Sequence, residues 1–349
     1  MNHNLTTVCV TGAAGYLASW VVKHLLEAGH TVHGTVRDKG RADKVKHLTE
    51  MATSYSDRLK LFEADLLKEG SFQDAVAGCT HVIHTASPFL LQGIKDGENQ
   101  LIKPALEGTR NVLNAVNETP SVQRVVLTSS VVAMWIDNTE KSHYAQEIFD
   151  ETAWNRNGSL DYQPYSYSKT VAEKEAWKMV EAQDRWDLVV INPGFVLGPS
   201  LSTRMDGATM QFMKQLADGT LSMGAPEFFF ATVDVRDVSY AHLLAAFKPE
   251  AEGRHLTAGE VMTLPEMGRM LKEDFARYPL PTRQLPKWLF TLMAPVFGMS
   301  RENAKRNIGV SLKIDNSKSQ SLGVSYRPIK ETLVDQLNQM LESGLVLKK

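Results

Sequence analysis

Short runs of Val, Ile and Leu, bounded by Gly, Ser, Asn or Asp, alternate with longer amphipathic stretches along the first 195 residues. The runs Thr7–Thr11, Thr31–Val36, Leu59–Ala64, His81–Thr85, Arg124–Ser129 and Leu188–Asn192 show no apolar/polar alternation. That pattern suits strands buried on both faces of a parallel sheet. Between them Tyr16–Glu27, Lys44–Met51, Phe72–Val76, Leu101–Val116 and Tyr165–Gln183 read as helices. Strand–helix alternation predicts right-handed crossovers and an α/β fold, a doubly wound parallel sheet of Rossmann type. Beyond Pro193 the pattern loosens, and Met, Pro and Gly become frequent. A helix at Val235–Phe247 and a return to the sheet near Arg254–Ala258 are expected, with Ser222–Phe230 and Arg277–Lys287 as loops. An amphipathic helix, Lys330–Glu342, closes the chain before Gly344. The expected division is a sheet domain over residues 1–193, revisited around 231–258, with 194–230 and 259–349 forming a smaller C-terminal lobe.

Composition changes this picture little. The chain has 349 residues, 43% of them hydrophobic and 22% charged, enough for a large core without staples. Its 38 Lys and Arg nearly balance 40 Asp and Glu, which argues against a nucleic-acid partner. Cys9 and Cys79 sit in apolar runs far apart and read as core residues, with no metal site. The first residues lack a basic, apolar leader pattern, and the apolar stretches are too short to span a bilayer. A cytoplasmic protein without a membrane partner, monomeric or homodimeric, is the expectation.

Chemistry enters at residue 12. Gly12-Ala13-Ala14-Gly15-Tyr16-Leu17-Ala18 carries Gly-x-x-Gly-x-x-Ala between a strand and a helix. Gly12 permits the tight turn, Gly15 the close approach of backbone to a pyrophosphate, and Ala18 the packing of helix on strand. The amides of Ala14, Gly15, Tyr16 and Leu17 are the candidate phosphate contacts. A carboxylate at the end of the second strand would bind a free ribose 2′-hydroxyl, whereas a cation suits a 2′-phosphate. Arg37 takes that position and Arg41 follows it, so NADPH is expected over NADH, although Asp38 lies one residue away. Asp65 and Leu66 after the third strand are expected to bound the adenine. Thr85, Ala86 and Ser87 after the fourth lie where strand ends meet a ligand.

Tyr165 and Lys169 stand four residues apart at the start of a long helix, on one face and about 6 Å apart along its axis. A neighbouring ammonium would favour the phenolate and lower the tyrosine pKa toward neutrality, and the same Lys can hold the nicotinamide ribose. Tyr167 has Val171 at that spacing and lacks the cation. Three hydroxyls, Thr128, Ser129 and Ser130, end the fifth strand. One of them can hydrogen-bond a substrate carbonyl, with Ser130 favoured and Ser129 second. Asn192–Pro199 should form an irregular loop whose Pro193 and Val196 lie on the nicotinamide.

Together these motifs resemble the extended short-chain dehydrogenases/reductases, and more narrowly the group of dihydroflavonol 4-reductases, cinnamoyl-CoA reductases and methylglyoxal-type ketoreductases. The resemblance is carried by TGAAGYLASW (Thr11–Trp20), TVRD (Thr35–Asp38), HTASPF (His84–Phe89), LIKPALEGT (Leu101–Thr109) and RVVLTSS (Arg124–Ser130). DETAWN (Asp150–Asn155), YSYSK (Tyr165–Lys169), NPGFVLGP (Asn192–Pro199) and DVRDVSYAH (Asp234–His242) extend it over about the first 245 residues. It implies Ser130, Tyr165 and Lys169 as a catalytic triad, Arg37 as the NADPH reader, and a substrate between cofactor and C-terminal lobe. Flavonoid-reducing members place Asn where this chain has Trp135, and the NWYCYGK signature of cinnamoyl-CoA reductases is absent. A hydrophobic aldehyde or ketone of modest size is therefore expected, lined by Phe89, Leu90, Trp135, Phe195 and Met223 beside Ser130 and Tyr165. The alternatives are a sugar-nucleotide epimerase or hydroxysteroid dehydrogenase of the same superfamily, or a cofactor-sensing regulatory protein without catalysis.

Overall fold

The computed structural model describes residues 5–56, 58–87, 96–202 and 207–347. Its first half runs β1 (Thr7–Thr11), α1 (Tyr16–Glu27), β2 (Thr31–Val36), α2 (Ala42–Ser54), β3 (Leu59–Glu63), α3 (Gln73–Val76) and β4 (His81–His84). α4 (Lys103–Asn117), β5 (Arg124–Thr128), α5 (Pro164–Glu181) and β6 (Asp187–Pro193) follow. The second half runs β7 (Phe195–Leu197), α6 (Ala208–Ala217), β8 (Ala225–Pro226), β9 (Phe229–Asp234), α7 (Val235–Phe247), β10 (Gly253–Thr257) and β11 (Glu260–Thr263). It ends with α8 (Leu264–Asp274), β12 (Gln284–Leu285), α9 (Lys287–Met293), α10 (Arg301–Asn307), α11 (Ser317–Ser321) and α12 (Ile329–Glu342).

Seven parallel strands form one sheet in the order β10-β6-β5-β4-β1-β2-β3. Each of these strands feeds alternate residues to opposite faces. Val8 and Val10 join Val21, Leu25, Val238 and Ala241 on the face covered by α1 and α7, while Cys9 joins Val112, Val116 and Ala176 on the other. The runs therefore look uniformly apolar because both faces are buried, as in a doubly wound fold. Cys9 and Cys79 are free and buried in the second of these cores. Parallel pairing puts the ends of β1, β2, β4, β5 and β6 at one rim, and the order reverses between β1 and β4.

Past β6 the chain departs from expectation. Residues 222–230 are not all loop: Ala225–Pro226 pairs with Gln284–Leu285, inside the other expected loop, and β9 starts at Phe229. Two-residue pairings between distant segments carry no periodic signal. A three-stranded sheet, β11-β9-β7, replaces the irregular loop expected after Pro193. Gly194 makes that junction possible, since a Cβ there would lie 2.2 Å from the Ala231 carbonyl oxygen. Met210, Met213, Leu264, Leu333 and Leu337 build a separate core under this sheet. Leu322 and Val324 return to the core beneath α1 and α7.

Candidate active site

The turn after β1 is built for a close ligand. Gly12 has φ +67°, and a Cβ there would meet Ala86 at 3.1 Å. The Gly12 N–H donates to Thr35 Oγ1 at 3.0 Å, the Ala13 N–H to the Thr35 carbonyl at 2.8 Å, and the Gly15 N–H to the Gly12 carbonyl at 2.8 Å. Gly15 is exposed and no side chain caps α1, so the first-turn N–H groups face outward beside Ala14. An open, uncapped helix start behind a glycine turn fits a dinucleotide pyrophosphate. The Tyr16 hydroxyl donates to the Gly198 carbonyl at 2.6 Å, so its side chain fastens the loop after β7 and only its amide remains for phosphate. Leu17 packs against the core beneath α1.

Arg37 is exposed at the end of β2. Asp38 Oδ1 accepts from the Gly40 N–H at 2.7 Å, so this carboxylate is engaged within its own turn. Arg41 is held through two 2.9 Å hydrogen bonds to Asp43, an exposed pair on the same turn. Asp65 Oδ1 accepts from the Leu67 N–H at 2.9 Å, while the Leu66 side chain covers Gly108. Asn111 organises this loop by donating to the carbonyls of Asp65, Leu66 and Lys68.

Thr85 and Thr128 are tied into the surrounding strands and helices. The Thr85 hydroxyl donates to the Thr11 carbonyl, and Thr128 Oγ1 lies 2.7 Å from His242 Nε2. His242 Nδ1 faces the Val238 carbonyl at 2.8 Å, which can only accept, so Nε2 is the acceptor and Thr128 the donor. Burial holds that imidazole down to about 4, which keeps it neutral at pH 7. Both threonine hydroxyls thus have partners within the fold. The Thr11 hydroxyl accepts from the amides of Thr85 and Ala86, binding this loop to β1.

The three hydroxyls at the end of β5 separate by partner. Ser129 is buried and donates to Glu173 Oε2 at 2.5 Å. Ser130 is half-buried and its Oγ accepts from the Val132 N–H at 3.3 Å, which leaves its own O–H without an acceptor among the described residues. The turn Val131–Ala133 packs on α5. Asn155 stitches the two together, its amide lying 3.1 Å from both the Val132 carbonyl and Thr170 Oγ1. Tyr165 and Lys169 rise from the first turns of that helix, which starts at Pro164 behind Gln163 in a left-handed conformation, φ 56°. Lys169 lines a small cleft with His84, Ser87, Thr128, Ser129 and Glu173.

The electrostatics overturn one expectation. Burial pushes the Tyr165 phenol well above its ordinary range. Burial also brings Lys169 down to about 8, with the Glu173 carboxylate pulling the other way. The phenol's own desolvation thus outweighs the lowering expected from a neighbouring ammonium. His84 falls to about 3 through burial and the charge of Lys169.

Glu173 escaped the sequence reading. It is fully buried, accepts from Ser129 and from Asn192 at 3.0 Å, and pairs with Arg254 at 2.7 Å. Asn192 also donates to the Ser130 carbonyl at 3.2 Å. Arg254 in turn donates to the Glu151 and Ala153 carbonyls and stacks over Trp154 at 4.0 Å. The available signal was position: Tyr165, Lys169 and Glu173 form an i, i+4, i+8 ladder.

On the substrate side, Phe89 and Leu90 lie outside the described residues. Trp135 is 5% exposed and stacks on Phe149 with centroids 4.5 Å apart, so packing claims the indole expected to wall a pocket. Met223 is 86% exposed on a turn. Phe195 is half-buried in an aromatic group, 4.7 Å from Phe212 and 5.3 Å from Phe230. Pro193 is buried in β6 opposite Thr257, and the Val196 carbonyl accepts from Thr209 at 3.1 Å.

The model of the NAD dependent epimerase/dehydratase family matches residues 8–259. The chain belongs to that family, in its extended short-chain dehydrogenase/reductase branch, and is an oxidoreductase. A cinnamoyl-CoA reductase, CAD2, of Medicago truncatula is 37% identical over 338 residues, covering 96% of this chain and 95% of that protein. A putative anthocyanidin reductase of Ginkgo biloba is 38% identical over 289 residues, 80% of this chain and 83% of that protein. Yeast methylglyoxal/isovaleraldehyde reductase Gre2, solved with NADPH, superposes with TM-score 0.77 at 28% identity, over 98% of this chain and 100% of that chain.

Proposed function

We propose that this protein reduces a hydrophobic aldehyde or ketone of modest size to the alcohol, with NADP(H) as cofactor and Tyr165 as proton donor. The observation that supports it most is the separation of the two serines. Ser129 is spent on Glu173, while Ser130 keeps a donor at the same strand end, against the helix that carries Tyr165 and Lys169.

The uncapped start of α1 would hold the pyrophosphate, Arg37 the 2′-phosphate, and Lys169 the nicotinamide ribose. Residues 1–193 with the return through β10 act as the cofactor domain, and the remainder as the substrate lobe. When bound, NADPH supplies a hydride to the carbonyl carbon. Ser130 donates a hydrogen bond to the carbonyl oxygen and stabilises the charge that grows there. Tyr165 keeps its proton at neutral pH, which is the form reduction consumes, and transfers it to the same oxygen. The ammonium of Lys169 then offsets the phenolate until the proton is replaced. Phe195, Phe212 and Phe230 offer an apolar wall on the lobe side.

A panel of simple aldehydes and ketones tests this by loss of nicotinamide absorbance. Turnover with NADPH is expected, with kcat/KM highest for apolar substrates. Cofactor that stays tightly bound and is not consumed would instead indicate an epimerase-type cycle. Arg37→Asp should reduce the NADPH over NADH ratio of kcat/KM by roughly a hundredfold, the loss of a charge-assisted phosphate contact. An unchanged ratio would remove Arg37 as the reader.

A further inference from the structure

The outermost helix of the C-terminal lobe buries only one stripe. From α9 into the turn Ala294–Phe297, Phe290 and Ala294 pack on Ala304, Ile308 and Phe228. The opposite stripe is apolar and open. Trp288 is 70% exposed, Leu292 60% and Val296 83%, with Met293 and Phe297 beside them at 37% and 39%. Trp288, Leu292 and Val296 fall at i, i+4 and i+8, so they make one continuous ridge. Single exposed apolar residues mean little, but a ridge of three flanked by Met293, with Phe297 stacked on Phe290 at its border, marks a surface that another body covers.

The surrounding charge says what kind of body. Between residues 283 and 306 lie five cations, Arg283, Lys287, Arg301, Lys305 and Arg306, and one acid, Glu302, in a chain whose net charge is -2. Arg306 pairs with Glu302, which leaves Arg283, Lys287, Arg301 and Lys305 as an exposed cationic collar. A second copy packed about a two-fold axis would press collar against collar. An apolar ridge containing Trp, Leu and Phe, ringed by cations, matches the boundary between acyl chains and anionic headgroups. We propose that α9 and its following turn dock this protein peripherally on an anionic lipid surface. No helix among the described residues is long and apolar enough to cross a membrane, so the contact is superficial. Phe228 beneath α9 touches Phe230, which touches Phe195, so the docked side shares its packing with the lobe's aromatic wall.

Flotation of the full chain with vesicles of phosphatidylcholine alone, or enriched in phosphatidylserine, tests this. The chain should float with the phosphatidylserine vesicles only, and less so at high salt. Trp288→Glu with Val296→Glu, and separately Arg283→Glu with Lys305→Glu, should each cut the bound fraction about tenfold. Thermal melts and turnover of a water-soluble aldehyde should stay unchanged in both. The proposal fails if wild type does not float, or if both variants float as wild type does. It also fails if the chain is a concentration-dependent dimer that ignores vesicles and is split by the apolar variant, since the ridge would then be a self-association surface. Should the apolar variant not fold, the charge variant and the salt dependence still decide the matter.

Discussion

Lys169 and Glu173 stand on successive turns of α5, and the carboxylate of the second partly offsets the burial of the first. Burial lowers Lys169 to about 8 while the carboxylate raises it. If the ammonium is the working form, kcat/KM for reduction is flat below that pH and falls above it. Glu173→Gln removes the raising influence, so the fall should begin about one pH unit lower. A pH profile of kcat/KM checks this, and an unmoved limb would leave Glu173 a purely structural role. The same substitution strips Arg254 of its partner and should cost on the order of 3 kcal/mol in denaturant unfolding. That Tyr165 and Lys169 share the first turns of one helix was legible, because four-residue spacing in a helical stretch is written in the sequence. Ser130 was favoured over Ser129 in the sequence, but the difference in their partners, Glu173 for Ser129 and the Val132 amide for Ser130, shows only in the fold. The partners of Trp135, Arg41 and Thr128, which are Phe149, Asp43 and His242, were hidden for a related reason, since a string of letters does not display such contacts.

Elements of the parallel sheet were readable to within a residue or two, since each strand is a solid apolar run between turn residues. β7, β8 and β12 were not, at two or three residues each and pairing only with distant segments. The close crossing of β6 and β9 was equally hidden, because Gly194 looks like any loop glycine. Gly194→Ala places a methyl 2.2 Å from the Ala231 carbonyl, so the strands must part. A loss of about 1–3 kcal/mol is expected in thermal or denaturant melts, as for other overpacked sites. Unchanged stability would mean that this crossing is looser than the backbone indicates.

The whole molecule is less divisible than its sequence suggests. The two cores that sandwich the sheet follow from composition and order, but the core of Met210, Met213 and Leu333 depends on contacts across more than a hundred residues. Leu322 and Val324, far along the chain, complete the core beneath α1 and α7. Leu322→Ala should therefore cost about 2–5 kcal/mol and lower a single cooperative transition. An early, separate melt of the C-terminal part would contradict that coupling. This architecture carries a glycine turn after β1, a serine after β5 whose hydroxyl has no acceptor among the described residues, and a buried phenol on α5, and the proposed chemistry depends most on the phenol. Replacing Tyr165 with Phe and measuring kcat alongside NADPH affinity tests it most directly. The expected result is a fall in kcat of roughly 10²–10⁴-fold with cofactor affinity retained. Turnover at the wild-type rate would remove Tyr165 as the proton donor.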